Sequence, residues 1–347
     1  MKTNFNQNGV LSRVAEVALF LVLLMVSNPV FATSSRAIPI TPQQVVLMLP
    51  PNATSTAIQS ALDSLPYTGG EVDLPAGESV VTQPIVLRRD YQTLRGAGDD
   101  TILRLAASAN CPVIILGEPV NHPKHNVRGL RVAGLLIDGN RRQQTRERWQ
   151  LSGEGSQIRN NGITVQRVSD SVVENVTCTC CRSGGLVTTH DVRRLTVRHL
   201  AAFDNQFDGL ACYQTQRSLF TDLYLHDNPG AGISLDLAFD DNVISNAVLV
   251  ANDLGVFMRA SRDNQFYNVT IHNSHHFGVF MAEHIHQASE AVCADNAFTN
   301  LTATNCGGAA FRVNNVSCTN NILIRAQFAK NLKGGLSLVR PNLVTVE

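Results

Sequence analysis

The sequence predicts an all-β fold, a parallel β-helix solenoid with turns of about 23 residues and a short α-helical cap at its N-terminal end. The first observation is a glycine that returns every 23 or 24 residues, at Gly162, Gly185, Gly209, Gly232, Gly255 and Gly278. The second is the alternation after each one, as in Gly232-Ile233-Ser234-Leu235-Asp236, which is the two-residue period of a half-buried strand. The third is the size of the repeat: about 23 residues leaves no room for a strand, a crossover helix and two connections.

Two further turns open at Ala310 and Gly335. Over these eight turns the residues one and three places after the opening residue should point inward, and fifteen of the sixteen are apolar. Thr188 is the exception. A second strand follows in each turn, marked by Asn242-x-Ile244-x-Asn246, Asn264-x-Phe266-x-Asn268 and Asn296-x-Phe298-x-Asn300. Asparagines in such rows should stack from turn to turn as amide ladders.

The chain divides into a signal peptide over 1–32, a linker over 33–50, a cap with the first strands over 51–105 and the solenoid over 106–347. The leader reading rests on Lys2 and Arg13, an apolar run over 17–26, and Val30-Phe31-Ala32 before Thr33. That run is short for a membrane span. The expected location is secreted or periplasmic. In the cap, Thr54 precedes Ile58, Ala61, Leu62 and Leu65 at helical spacing, and Pro66 and Gly69-Gly70 stop the helix. A helix there would cover the open end of the core.

Lysine plus arginine equals aspartate plus glutamate at 28 each, which argues against general nucleic-acid or membrane-surface binding. Eight cysteines fall in groups without metal-ligand spacing. Cys293 lies three residues before Asn296 and Cys318 three before Asn321, so the register stacks them and a disulfide is expected in an oxidising compartment.

The segments Ile58-Gln59-x-Ala61-Leu62-Asp63-x-Leu65, Gly69-Gly70-x-Val72-x-Leu74-Pro75-x-Gly77 and Leu94-Arg95-Gly96-Ala97-Gly98 resemble the N-terminal cap of the pectin-lyase-like superfamily of right-handed β-helices. The stretch from Val132-Ala133-Gly134-Leu135-Leu136-Ile137-Asp138-Gly139-Asn140-Arg141 to about Asp263 is similar to the catalytic module of mannuronan C5-epimerases. The resemblance implies a right-handed fold and action on acidic polysaccharides bound along one strand face. The epimerase motif Tyr-Gly-Phe-Asp-Pro-His is not retained. Gly184-Gly185-Leu186-Val187-Thr188-Thr189-His190 stands in its place, Tyr213 stands where that family has an aspartate, and Gly230-Ala231 where it has an Arg-His pair.

The residues themselves point to a different candidate site. Four places after the glycines, Tyr213, Asp236 and Arg259 face outward on successive turns, roughly 5 Å apart. His190 and Glu283 flank this row, Asp208 sits beside it, and Phe257 and Phe280 offer an apolar wall for sugar rings. Proton removal beside a uronate carboxylate needs a cation, a base and an acid. Arg259 would neutralise the carboxylate, Tyr213 or His190 would move the proton, and Asp236 would orient either one or hold a Ca²⁺ ion. The loop with Arg146, Arg148 and Trp149 suits an acidic glycan. The expected activity is a polysaccharide lyase or C5-epimerase. The alternatives are a glycoside hydrolase using Asp236 with Asp208 or Glu283, and a non-catalytic glycan-binding or cell-surface protein. The expected partner is an acidic polysaccharide, and no cofactor beyond Ca²⁺ is indicated.

Overall fold

The structure is a computed structural model that describes residues 45–147, 158–282 and 292–347. The proposed leader, Arg148, Trp149 and Glu283 lie outside the described residues.

Three parallel sheets run the length of a solenoid, as the repeat requires. A face sheet of ten strands contains the segments that follow the glycines, including Leu186–Thr189, Leu210–Tyr213, Ala231–Asp236, Leu254–Met258 and Val279–Met281. A long sheet holds the second strands, such as Val243–Val250 and Gln265–His272. A third sheet is made of two-residue strands, from Val127–Arg128 to Ser261–Arg262. The face ladder passes from Val279–Met281 to Phe311–Val313 in register, so the longer step between Gly278 and Ala310 does not break the coil.

The glycine period has a steric cause. A Cβ at Gly162, Gly185, Gly209, Gly232, Gly255 or Gly278 would lie 2.3 to 3.0 Å from the carbonyl oxygen of the opening residue one turn on. Successive turns approach here too closely for any side chain.

The inward positions build one continuous core, with Phe266 stacked on Phe298 at 4.2 Å between ring centroids. Thr188, the lone polar inward residue of the face sheet, pairs its hydroxyl with that of Thr215 at 2.6 Å. Both expected asparagine rows form ladders. In the buried one, Asn264 Oδ1 accepts from the backbone N–H (3.0 Å) and the Nδ2 (3.2 Å) of Asn242, and Asn296 and Asn321 repeat the pattern. In the exposed one, Asn246, Asn268 and Asn300 occupy left-handed φ of 52 to 56° at the bend of each long strand. Asparagine tolerates that conformation better than most residues. A third ladder, Asn205, Asn228 and Asn252, was not anticipated from sequence.

The helix Ser55–Ser64 covers the first turn. Thr54 Oγ1 accepts the Ala57 N–H at 3.2 Å, and Ile58 and Leu62 are fully buried. Gln59 bonds both backbone groups of Val86, in the terminal strand of the face sheet, so a side chain occupies a sheet edge that would otherwise stay open.

Candidate active site

The face sheet brings most of the expected row together. Tyr213 and Asp236 are register partners, and Arg259 follows Met258, the partner of Leu235. The row differs from the expectation in one respect. Asp236 does not present its carboxylate to solvent. It is 2 % exposed and joined to Arg259, whose guanidinium is 27 % exposed. Arg259 Nε donates to Asp236 Oδ2 at 2.8 Å, and Oδ1 accepts the Leu237 N–H at 2.8 Å. Both oxygens are thus committed. Among the described residues no three His, Cys, Asp or Glu side chains converge to hold a metal ion. A Ca²⁺ role for Asp236 is set aside on those two grounds, since calcium requires six or more convergent oxygens.

Asp208 joins this row from the turn that leads into strand Leu210–Tyr213. Its Oδ1 accepts the Ala231 N–H at 2.7 Å, and a Cβ on Gly230 would lie 2.5 Å from that oxygen, so glycine admits the carboxylate. Desolvation pushes its pKa up to about 6, against the Ala231 hydrogen bond and the charge of Arg159. Tyr213 is held as the neutral phenol. Burial raises its pKa, as do the charges of Asp208 and Asp236, while Arg159 and Arg259 oppose the shift. One phenol therefore stands among two carboxylates and two guanidiniums.

Arg159 was not found from sequence. It comes from a connection outside the repeat, and only its charge could have marked it. Its guanidinium lies 4.6 Å from the Phe207 ring centroid and its Nε is 3.3 Å from Glu147 Oε1. Glu147 is buried, which raises its pKa. Arg146 is exposed, and its backbone, not its side chain, ties the connection down through Asn110 and Asn160.

Phe257 and Phe280 lie side by side at 6.0 Å, Phe277 extends the wall at 5.2 Å, and Arg259 sits 5.7 Å from the Phe257 ring. His190 is not part of the row. Its charged form is disfavoured by burial, then by His122 and Arg167, and it lines a separate cleft. Cys293 and Cys318 are on adjacent turns as the register requires, as thiols, with the Cys293 N–H 3.3 Å from Cys318 Sγ.

Comparison with known structures agrees with this architecture. The chain is similar to ORF18 of Geobacillus virus E2 (15 % identity, TM-score 0.65), covering 84 % of this chain and 58 % of that one. It thus spans somewhat over half the length of that viral protein. It is also similar to the A-module of the Azotobacter vinelandii mannuronan C-5 epimerase AlgE4 (18 % identity, TM-score 0.55, 86 % and 97 % coverage). The polygalacturonase of Erwinia carotovora matches at 12 % identity and TM-score 0.59, over 90 % and 99 %. These likenesses establish the right-handed, pectin-lyase-like fold that the cap residues suggested. No curated protein sequence matches significantly. Residues 133–339 match the family described as periplasmic copper-binding protein (NosD). With well over half of its residues inside that match, the chain belongs to the NosD family of parallel β-helix proteins.

Proposed function

We propose that this protein is a lyase or C5-epimerase of a uronic-acid-containing polysaccharide, with Asp208 and Tyr213 as the proton-transferring pair. The observation that carries the reading is the placement of Tyr213 among Asp208, Asp236, Arg159 and Arg259. Arg159 and Arg259 offset the uronate carboxylate, which lowers the barrier to breaking the C5–H bond. Asp208, a stronger base than an ordinary carboxylate, takes that proton. The electron pair moves into the carboxylate. Tyr213, kept protonated, then either protonates C5 from the opposite face or protonates O4 as the C4–O4 bond breaks. The first outcome is epimerisation and the second elimination. Asp236 fixes Arg259, and the wall of Phe257 and Phe280 gives the sugar rings an apolar surface. Two fold relatives carry names that fit this substrate class, the mannuronan epimerase and the polygalacturonase.

Hydrolysis is the second reading. It is favoured by two carboxylates in unlike settings, Asp208 with its raised pKa and Asp236 in an ion pair. Among the described residues no three His, Cys, Asp or Glu side chains converge to hold copper, which the family description names. The thiols of Cys178, Cys181 and Cys293 are buried and pushed up by desolvation, and Met258 and Met281 are sealed in the core. No step runs through copper here. A periplasmic location agrees with the family description and with the leader expected from sequence.

Proton NMR of the purified mature protein in D₂O with alginate, pectate and glucuronan tests the reading. Vinylic signals mean elimination, and deuterium at C5 without chain cleavage means epimerisation. New reducing ends without vinylic signals would replace this reading with hydrolysis. Silence across all three polymers would refute both.

A further inference from the structure

A second cleft lies one residue beyond the catalytic row. Arg167, His190 and Gln214 follow Gln166, Thr189 and Tyr213, the last residues of three successive face strands. All three take left-handed φ, of 50°, 58° and 48°, so they form a column where the chain turns toward the two-residue strands. With Asp191, Gln216 and Ala238 they enclose a cleft of about 370 Å³. That volume is at the low end of small-molecule sites.

Two nitrogens in this cleft are buried without a hydrogen-bond partner, Arg167 Nε and His190 Nδ1. Leaving such groups unpaired is costly, and a native structure retains them where a ligand or ordered water completes them. Arg167 has no ion-pair partner among the described residues. The one carboxylate lining the cleft, Asp191, is engaged at 2.6 Å by Arg193 Nε. Gln214 accepts the backbone N–H of His190 through Oε1 at 3.1 Å, which leaves its Nε2 as a donor. His122 meets the His190 ring edge-on at 6.2 Å and adds a second imidazole. With the His190 tautomer protonated at Nδ1, the lining residues carry a guanidinium N–H, an imidazole N–H and an amide N–H, and with Asp191 paired to Arg193 the uncompensated charge is that of Arg167.

We propose that the cleft of Arg167, His190 and Gln214 is an oxyanion-binding site, for a carboxylate of a uronate residue or a free sulfate or phosphate. It is independent of the catalytic reading, because it requires no turnover and shares none of the residues placed in the proton transfer.

The test is calorimetric titration of the mature protein at constant ionic strength in chloride, with sulfate, phosphate and glucuronate as separate probes. At least one should bind, and the probe that binds identifies the source. Arg167→Ala should weaken binding at least about tenfold and His190→Ala by a smaller factor. Arg194→Ala removes an equal charge from a surface pair with Asp170 and should leave binding unchanged. If Arg167→Ala does not fold, Arg167→Lys, which keeps the charge and loses the planar donors, should still weaken binding. The proposal is overturned if none of the three probes binds the wild type. It fails equally if the Arg167 variants bind as wild type does, or if Arg194→Ala weakens binding as much.

Discussion

Asp236 and Arg259, one turn apart on the face sheet, form an ion pair whose acidic half is 2 % exposed and whose basic half is 27 % exposed. Such asymmetry means that losing the cation costs more than losing the anion, since a carboxylate without its partner would stay buried.

Arg259→Ala should therefore destabilise the fold by about 3 kcal/mol in urea unfolding, and Asp236→Asn by less, about 2 kcal/mol, because the one amide oxygen can still accept from either Arg259 or Leu237 though not from both. Under the proposed mechanism Arg259→Ala also abolishes turnover. Equal unfolding midpoints for the two variants would contradict the assigned burial.

Asp208 gives a pH prediction with a definite sign. Its folded pKa of about 6 is above the ordinary carboxylate value of 3.8. The protonated carboxyl is thus favoured in the folded state, and its contribution is complete below about pH 4. It is lost as pH rises toward 6 and stays lost above. Asp208→Asn, which keeps an acceptor for the Ala231 N–H, should stabilise the protein by about 2 kcal/mol at pH 7 and little at pH 4. The same change should remove activity, and wild-type kcat/KM should rise with pH through about 6. Thermal melts at the two pH values and a pH–rate profile check the two halves separately.

The asparagine ladders differ in burial, so their variants should differ in cost. Asn264→Ala strands the N–H and Nδ2 of Asn242 in a site that is fully buried, and should cost about 2 to 3 kcal/mol. Asn268→Gly, in the exposed ladder at φ 55°, should cost under about 1 kcal/mol, because glycine adopts that conformation freely. Chemical denaturation of both variants gives the comparison directly.

Cys293 and Cys318 are both fully buried and in contact, with Cys293 pushed well up by desolvation and the Cys318 thiol drawn down by its neighbour. Reduced protein refolded with glutathione disulfide should show two fewer titratable thiols than the eight in the sequence. Each bond formed takes two electrons and two protons to glutathione. Peptide mapping should join Cys293 to Cys318, and Cys318→Ser should retain the thiol of Cys293.

Several elements were legible in the residues because a solenoid repeats its physics. Backbone contact between turns excludes a side chain at Gly232 and its equivalents, so the period is written directly in glycines. Inward and outward alternation then assigned Cys212, Met258 and Met281 to the core and set Tyr213, Asp236 and Arg259 in one row. The buried ladder of Asn205, Asn228 and Asn252 was missed because its asparagines fall in the turns just before the glycines, where any polar residue reads as a turn former. Arg159 was missed for a related reason. It belongs to a connection with no counterpart on other turns, so no register placed it.

By itself the sequence determined the coil, its parallel register, the capping helix and the adjacency of residues one period apart, since all of these follow from local sterics repeated about every 23 residues. Only the tertiary structure decided how that surface is charged. It buried Asp236 against Arg259, lifted the pKa of Asp208 by desolvation, brought Arg159 in from a non-repeating connection and moved His190 into a separate cleft. The physical reason is that burial and charge pairing depend on every group within a few ångströms in three dimensions, whereas a period constrains one residue per turn.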